Sequence, residues 1–170
     1  YWTIKDGVYE TVGAFADQYI RTRQLLAYSN CNKFYRREII EREGIRFEEG
    51  LEFGEDRLFN FAFLKACAKY ESSNPCVVTS TLIMLRYIQR SDQSMSSRHI
   101  PGYFDCVMHL HKEKMDCFLE LAETATPEEK IEFEAYDVSR EVEATINRFA
   151  EHPEEKEENL PLINQLIFGG

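Results

Sequence analysis

Breakers are scarce in this sequence: 170 residues hold only 8 glycines and 5 prolines, which favours helix. No run approaches the roughly 18 uninterrupted apolar residues that a membrane-spanning helix needs. The richest stretch, Leu58 to Ala68, is broken by Asn60 and Lys65. The five cysteines (31, 67, 76, 106 and 117) are odd in number and include no C-x-x-C pair. Cys67, Cys76, Cys106 and Cys117 sit inside apolar patterns, as buried reduced thiols of a cytoplasmic protein would, and not in a disulfide framework or zinc site. A basic stripe is also missing, which argues against nucleic acid and against an anionic membrane surface as the main partner. The P-loop, G-x-G-x-x-G, H-E-x-x-H and G-x-S-x-G patterns are absent.

Hydrophobic residues make up 44%, with 12 Phe, 9 Tyr and 1 Trp, so the chain is no disordered polymer. A chain of this length can bury roughly 70% of its unfolded surface. The formal net charge of −10 is unevenly spread. Residues 112–170 hold 6 basic and 16 acidic side chains, whereas residues 1–111 hold 14 of each. The opening Tyr-Trp-Thr-Ile-Lys-Asp-Gly has no basic region followed by an apolar run, so it does not resemble a secretory leader. A first residue other than Met is expected of a chain trimmed of a tag or taken from a longer gene product.

The apolar period from Val12 to Tyr28 predicts a helix, interrupted at Asn30-Cys31-Asn32-Lys33. A short helix follows over Phe34–Glu43, closed by Gly44. A segment with Gly50 and Gly54 as hinges then leads to a buried helix that starts at Glu55-Asp56. Val77 to Thr79 and Leu82 to Ile88 have the composition of one or two strands. Beyond a serine-rich loop, Ile100–Glu123 and Pro127–Glu151 predict two long helices. The second has Thr126 as N-cap, Pro127 first, Glu129 three residues after the cap, and an apolar face of Phe133, Tyr136, Val142, Ile146 and Phe149. His152-Pro153 and the Glu-rich run to Glu158 should end it, before a short apolar finish over Leu160–Phe168. The best division of the chain falls near residue 96.

Candidates for chemistry are few. His109 and His111 are two apart and point away from each other on a helix, so they cannot clasp one metal. Glu55 and Asp56 open a helix after a glycine turn, where a carboxylate can face a cleft as a general base. Acidic residues also collect in first turns simply because the helix dipole favours negative charge there. Lys33, Arg36, Arg37, Arg42 and Arg46 can face an anion or pair with Glu38, Glu41, Glu43, Glu48 and Glu49.

Several blocks, in order, resemble the second half of family 2 glycosyltransferases. They are Asn32-Lys33-Phe34-Tyr35-Arg36-Arg37-Glu38-Ile39-Ile40, then Gly44-Ile45-Arg46-Phe47-Glu48-Glu49-Gly50-Leu51, then Phe53-Gly54-Glu55-Asp56-Arg57-Leu58-Phe59-Asn60. The series continues with Leu85-Arg86-Tyr87-Ile88-Gln89-Arg90-Ser91-Asp92-Gln93-Ser94-Met95, and the likeness covers residues 28–96. The resemblance implies an inverting transferase of nucleotide-diphospho-sugars, with a GT-A fold and a role in bacterial surface polysaccharide synthesis. In that family the acidic pair at this helix start supplies the catalytic base; Asp56 is the better match, with Glu55 beside it. Arg90 and Ser94, with Ser91 as the alternative to Ser94, match the loop that closes over the donor diphosphate. Asn32 and Lys33 match the segment that lines the cleft.

The expected fold is therefore α+β and predominantly helical. A partial GT-A-like half-domain with a short strand pair (residues 1–96) would be followed by an acidic extension of two or three helices (97–170). The resemblance implies a nucleotide-sugar donor, a carbohydrate or lipid-linked acceptor, and a location in the cytoplasm or at the inner face of the membrane. It also implies Mg²⁺ or Mn²⁺ for the complete enzyme, yet the D-x-D motif that would hold the cation is absent from this sequence. The chain is thus expected to be the acceptor-side half and inactive by itself. The competing expectation is a non-catalytic helical interaction module, and the acidic helices offer a surface on which a second copy of the chain can pack.

Overall fold

The computed structural model describes residues 5–23, 26–51, 53–70, 77–82 and 98–168. Among these residues six helices and one two-stranded sheet follow in the order β1 (Gly7–Tyr9), α1 (Val12–Thr22), α2 (Arg37–Glu43), α3 (Glu55–Ala68), β2 (Val77–Thr79), α4 (Tyr103–Leu121), α5 (Pro127–Arg148) and α6 (Pro153–Phe168). The fold is α+β and predominantly helical. The strands pair antiparallel, with Gly7 opposite Thr79 and Tyr9 opposite Val77. Tyr9 then meets Phe15 of α1 edge-on at 5.4 Å.

Local chemistry sets most of the helix ends. Thr11 caps α1, its hydroxyl accepting from the Ala14 amide at 2.9 Å. The helix stops at Thr22, not at Tyr28 as the apolar period suggests, because Arg23 turns left-handed at φ 54° and its N–H closes on the Tyr19 carbonyl. Gly44, at φ 63°, ends α2. Thr126 and Glu129 form a complete capping box at the start of α5, with Pro127 in the first position. Helix α5 ends at Arg148, ahead of the His152-Pro153 stop, but the Glu-rich run expected to belong to that stop is itself helical. Pro153 sits where a helix tolerates proline, Glu154 and Glu155 suit the dipole of a first turn, and α6 runs unbroken to Phe168.

The main core joins both sides of the division placed near residue 96. Phe15, Ala16, Tyr19 and Ile20 of α1 pack with Phe61 of α3, Met115, Cys117 and Phe118 of α4, and Phe133 of α5. Tyr19 stacks on Phe118 at 3.9 Å between ring centroids, and Phe133 meets Tyr19 edge-on. A smaller cluster seats α2 on α3 through Ile39, Ile45, Phe59 and Ala66. Burial pushes the Cys117 thiol up to about 12, so it is an inert packing group. Cys67 is likewise free and buried, Cys106 half-buried and Cys31 exposed; Cys76 lies outside the described residues.

The face that α5 buries is not the apolar one expected. Phe133, Asp137, Glu141 and Thr145, each four residues on, point inward, while Ile146 is 46% exposed. The buried acids are tolerated because α3 and α4 supply cations opposite them. Helix α6 docks through Glu155, Asn159 and Ile163. Glu155 accepts from the Ile100 amide at 3.2 Å, and Asn159 from the Phe104 amide at 3.2 Å. These two side chains serve the start of α4, where Gly102 has no side chain to cap it.

Candidate functional site

The start of α3 is shaped by Gly54. Its φ of 88° is left-handed, and a Cβ there would lie 2.2 Å from Leu110 Cδ1. This close approach to α4 sets Glu55 and Asp56 in the first turn, both half-buried. The segment 28–35, which precedes α2, folds across that turn. The Asn30 backbone amide donates to Asp56 Oδ2 at 3.2 Å and its side-chain amide to Oδ1 at 2.9 Å.

One turn further along α3, on the same face, stands the buried Asn60. Its Nδ2 donates to the Ala27 carbonyl at 2.9 Å, which leaves Oδ1 facing the Tyr35 hydroxyl at 2.6 Å. The same hydroxyl is 2.7 Å from Asn30 Oδ1. It has one proton and serves one of the two amide oxygens at a time. Burial, followed by the Asp56 charge, holds the Tyr35 phenol above its ordinary range, so it remains a donor. Asp56 is thus aimed by Asn30, and Asn30 in turn by Tyr35.

Lys33 lies in the same segment. Its ammonium donates to the Ser29 carbonyl and to Asn32 Oδ1, the latter at 2.8 Å, while Asn32 itself is exposed. Burial pulls the Lys33 pKa down to about 8, and the charge of Asp56 works the other way. The structure therefore gathers Asn32, Lys33, Glu55 and Asp56 around one helix start. Arg90, Ser91 and Ser94 lie outside the described residues. Of the basic cluster around α2, Arg36 pairs with Glu38, and Arg37 with Glu41 at 2.7 Å. Arg46 donates to the Ile45 carbonyl, while Glu43 goes to Lys69.

A second polar network, not foreseen from the sequence, backs the first. Arg57 contacts Glu141 of α5 at 3.1 Å and lies 3.9 Å from the Tyr28 ring centroid. Tyr28 also donates to Glu141, at 3.1 Å, and accepts from Lys114 at 3.2 Å. Lys114 pairs with Asp137, whose other oxygen is 2.8 Å from His111 Nδ1. Burial would raise the Asp137 carboxyl, but His111 and Lys114 outweigh it and hold it below the usual carboxylate range. The signal available in advance was spacing. His111 and Lys114 are three apart on α4, Asp137 and Glu141 four apart on α5, and each pair shares a helix face. His109, two residues from His111, is exposed on the opposite side.

The arrangement offers a base: a carboxylate uses two of its lone-pair sites on Asn30 and keeps others for a substrate hydroxyl. Among the described residues no three His, Cys, Asp or Glu side chains converge on one position, and both Asp56 oxygens face N–H donors. No helix among the described residues is long and apolar enough to cross a membrane. In comparisons with known proteins, the chain matches no family model, no curated protein and no solved structure.

Proposed function

We propose that the chain is the acceptor-side half of an inverting glycosyltransferase of the family 2 type, acting on a nucleotide-diphospho-sugar, with Asp56 as its base. One observation carries this reading. Two blocks that support the resemblance, Asn32–Ile40 and Phe53–Asn60, are separate in sequence yet meet where the Tyr35 hydroxyl lies 2.6 Å from Asn60 Oδ1, and Asn30, just before the first block, holds Asp56. Asp56 takes the proton of an acceptor hydroxyl as that oxygen attacks the anomeric carbon. The bond from that carbon to the diphosphate breaks, and the nucleoside diphosphate leaves with the bonding electrons. Fixing the carboxylate beforehand spares the cost of orienting it during the step. Glu55, with no hydrogen bond or ion pair of its own among the described residues, stands beside the acceptor path as a second carboxylate. Arg90 and Ser94, with Ser91 as the alternative to Ser94, would close over the donor diphosphate, although this chain alone is not expected to bind the donor productively. The reaction belongs in the cytoplasm, at or near the inner face of the membrane where lipid-linked acceptors are met.

The test is release of nucleoside diphosphate by the whole gene product, given a panel of nucleotide-sugars and hydroxyl acceptors. Asp56→Asn is expected to lower turnover by about a thousandfold. The variant keeps one oxygen for Asn30, so its cost in stability should stay within about 2 kcal/mol. Wild-type turnover by Asp56→Asn would remove it from the mechanism. A second reading, a non-catalytic interaction module, draws on the apolar side chains that α5 and α6 leave exposed. Under that reading no sugar is transferred at all.

A further inference from the structure

Helix α5 has two usable faces, and only one is occupied. The inward face is the polar series from Phe133 to Thr145. On the outer side Ala135, Val138, Val142 and Ile146, three and four residues apart, form the floor of a groove walled by Ile167 of α6 and edged by Glu143. Ile146 is 46% and Ile167 53% exposed, and Ile131, on the same line one turn earlier, is 67% exposed. A stripe with this spacing is how a helix receives another helix, ridge into groove. Among the described residues nothing covers it.

Charge selects the occupant. Glu128, Glu134 and Glu143 are exposed along the edges of the stripe. Of the basic residues on α5, Lys130 is engaged on the Leu119 carbonyl and Arg148 on Glu155, while Arg140, two residues from both Val138 and Val142, falls on the other side of the helix. Residues 112–170 as a whole hold 6 basic and 16 acidic side chains, so a second copy packing by this same face would bring like charge onto like charge. An anionic lipid surface meets the same repulsion. We propose that this groove receives a basic amphipathic helix of a partner protein. Aliphatic side chains at i, i+3 or i+4, and i+7 would enter between Val138, Val142, Ile146 and Ile167. Lysine or arginine on the flanks would face Glu134 and Glu143. The proposal stands independently of glycosyl transfer.

The probe is a synthetic helical peptide with leucine at those spacings and lysine on both flanks, titrated by calorimetry into the full chain. A sister peptide carries glutamate in place of lysine. The basic peptide is expected to bind at least about tenfold more tightly than the acidic one, and to weaken as salt is added. Ile146→Asp should weaken binding by about tenfold or more, and Glu143→Lys should narrow the gap between the two peptides. Both positions are exposed, and an unchanged thermal transition shows that the variants fold. Equal affinity for the two peptides, no binding of the basic one, or binding indifferent to Ile146→Asp would each overturn the proposal. A dimer that Ile146→Asp disperses would overturn it too, in favour of a second copy of the chain.

Discussion

Lys33 is a lysine held away from its ordinary chemistry. With a folded pKa of about 8 against lysine's ordinary 10.5, it binds fewer protons than the unfolded chain does between those values. Its contribution to stability therefore rises with pH across that window, because folding no longer has to desolvate a charge. The reactive free amine also appears sooner. Acetylation of the folded chain, followed by mass spectrometry across pH, should show Lys33 reacting with a midpoint near pH 8. Lys69 and Lys112, held above the ordinary range by their hydrogen bonds to Glu43 and Asp116, should lag well behind. A midpoint for Lys33 no different from theirs would show that its ammonium is solvated. Asp17 is the counterpart among the acids. It is buried, and both its oxygens accept from the amides of Thr124 and Ala125 and from the Thr124 hydroxyl, at 2.7 to 3.0 Å. Asp17→Ala should cost about 2 to 4 kcal/mol in urea unfolding, since it strands those donors.

At the level of elements, two glycines separate backbone strain from packing. Gly44 and Gly54 both have positive φ, but a Cβ at Gly44 meets nothing within 4 Å, whereas one at Gly54 strikes Leu110. Gly44→Ala should cost about 1 kcal/mol and Gly54→Ala about 3 kcal/mol or more, compared by urea denaturation. Equal costs would mean that α4 yields freely to the start of α3. The helix starts at Glu55 and Pro127 were legible in the sequence, because dipole, cap and proline signals are local. So was the Glu55–Asp56 pair. The partner of Asp56 was not, because the hydrogen bonds of Asn30 are made 26 residues away and leave no periodic trace. The inward face of α5 was missed for a related reason. Periodicity ranks side chains by their affinity for oil, and Asp137 and Glu141 are buried only because His111, Lys114 and Arg57 wait opposite them.

In the molecule as a whole, three buried carboxylates tie distant segments together. Burial would raise Asp17, Asp137 and Glu155, but their hydrogen bonds hold each below the usual carboxylate range. Thr124 and Ala125 do so for Asp17, His111 and Lys114 for Asp137, and Arg148 and Ile100 for Glu155. Folded values below unfolded ones mean stability that is present above about pH 4 and lost as pH falls through the folded values. The urea midpoint should drop steeply below pH 4, and Asp17→Asn should flatten that dependence. Because Tyr19, Phe61, Phe118 and Phe133 form one cluster, residues 1–96 and 97–170 made separately should each lack a cooperative thermal transition. A sharp transition in either piece would support the division near residue 96. The same cluster bears on synthesis. Helix α1 leaves the ribosome with Phe15, Tyr19 and Ile20 on one side, and Phe133, which closes over them, is translated on the order of 10 s later. Throughout that interval the nascent chain presents an uncovered aromatic helix, the kind of surface that chaperones hold.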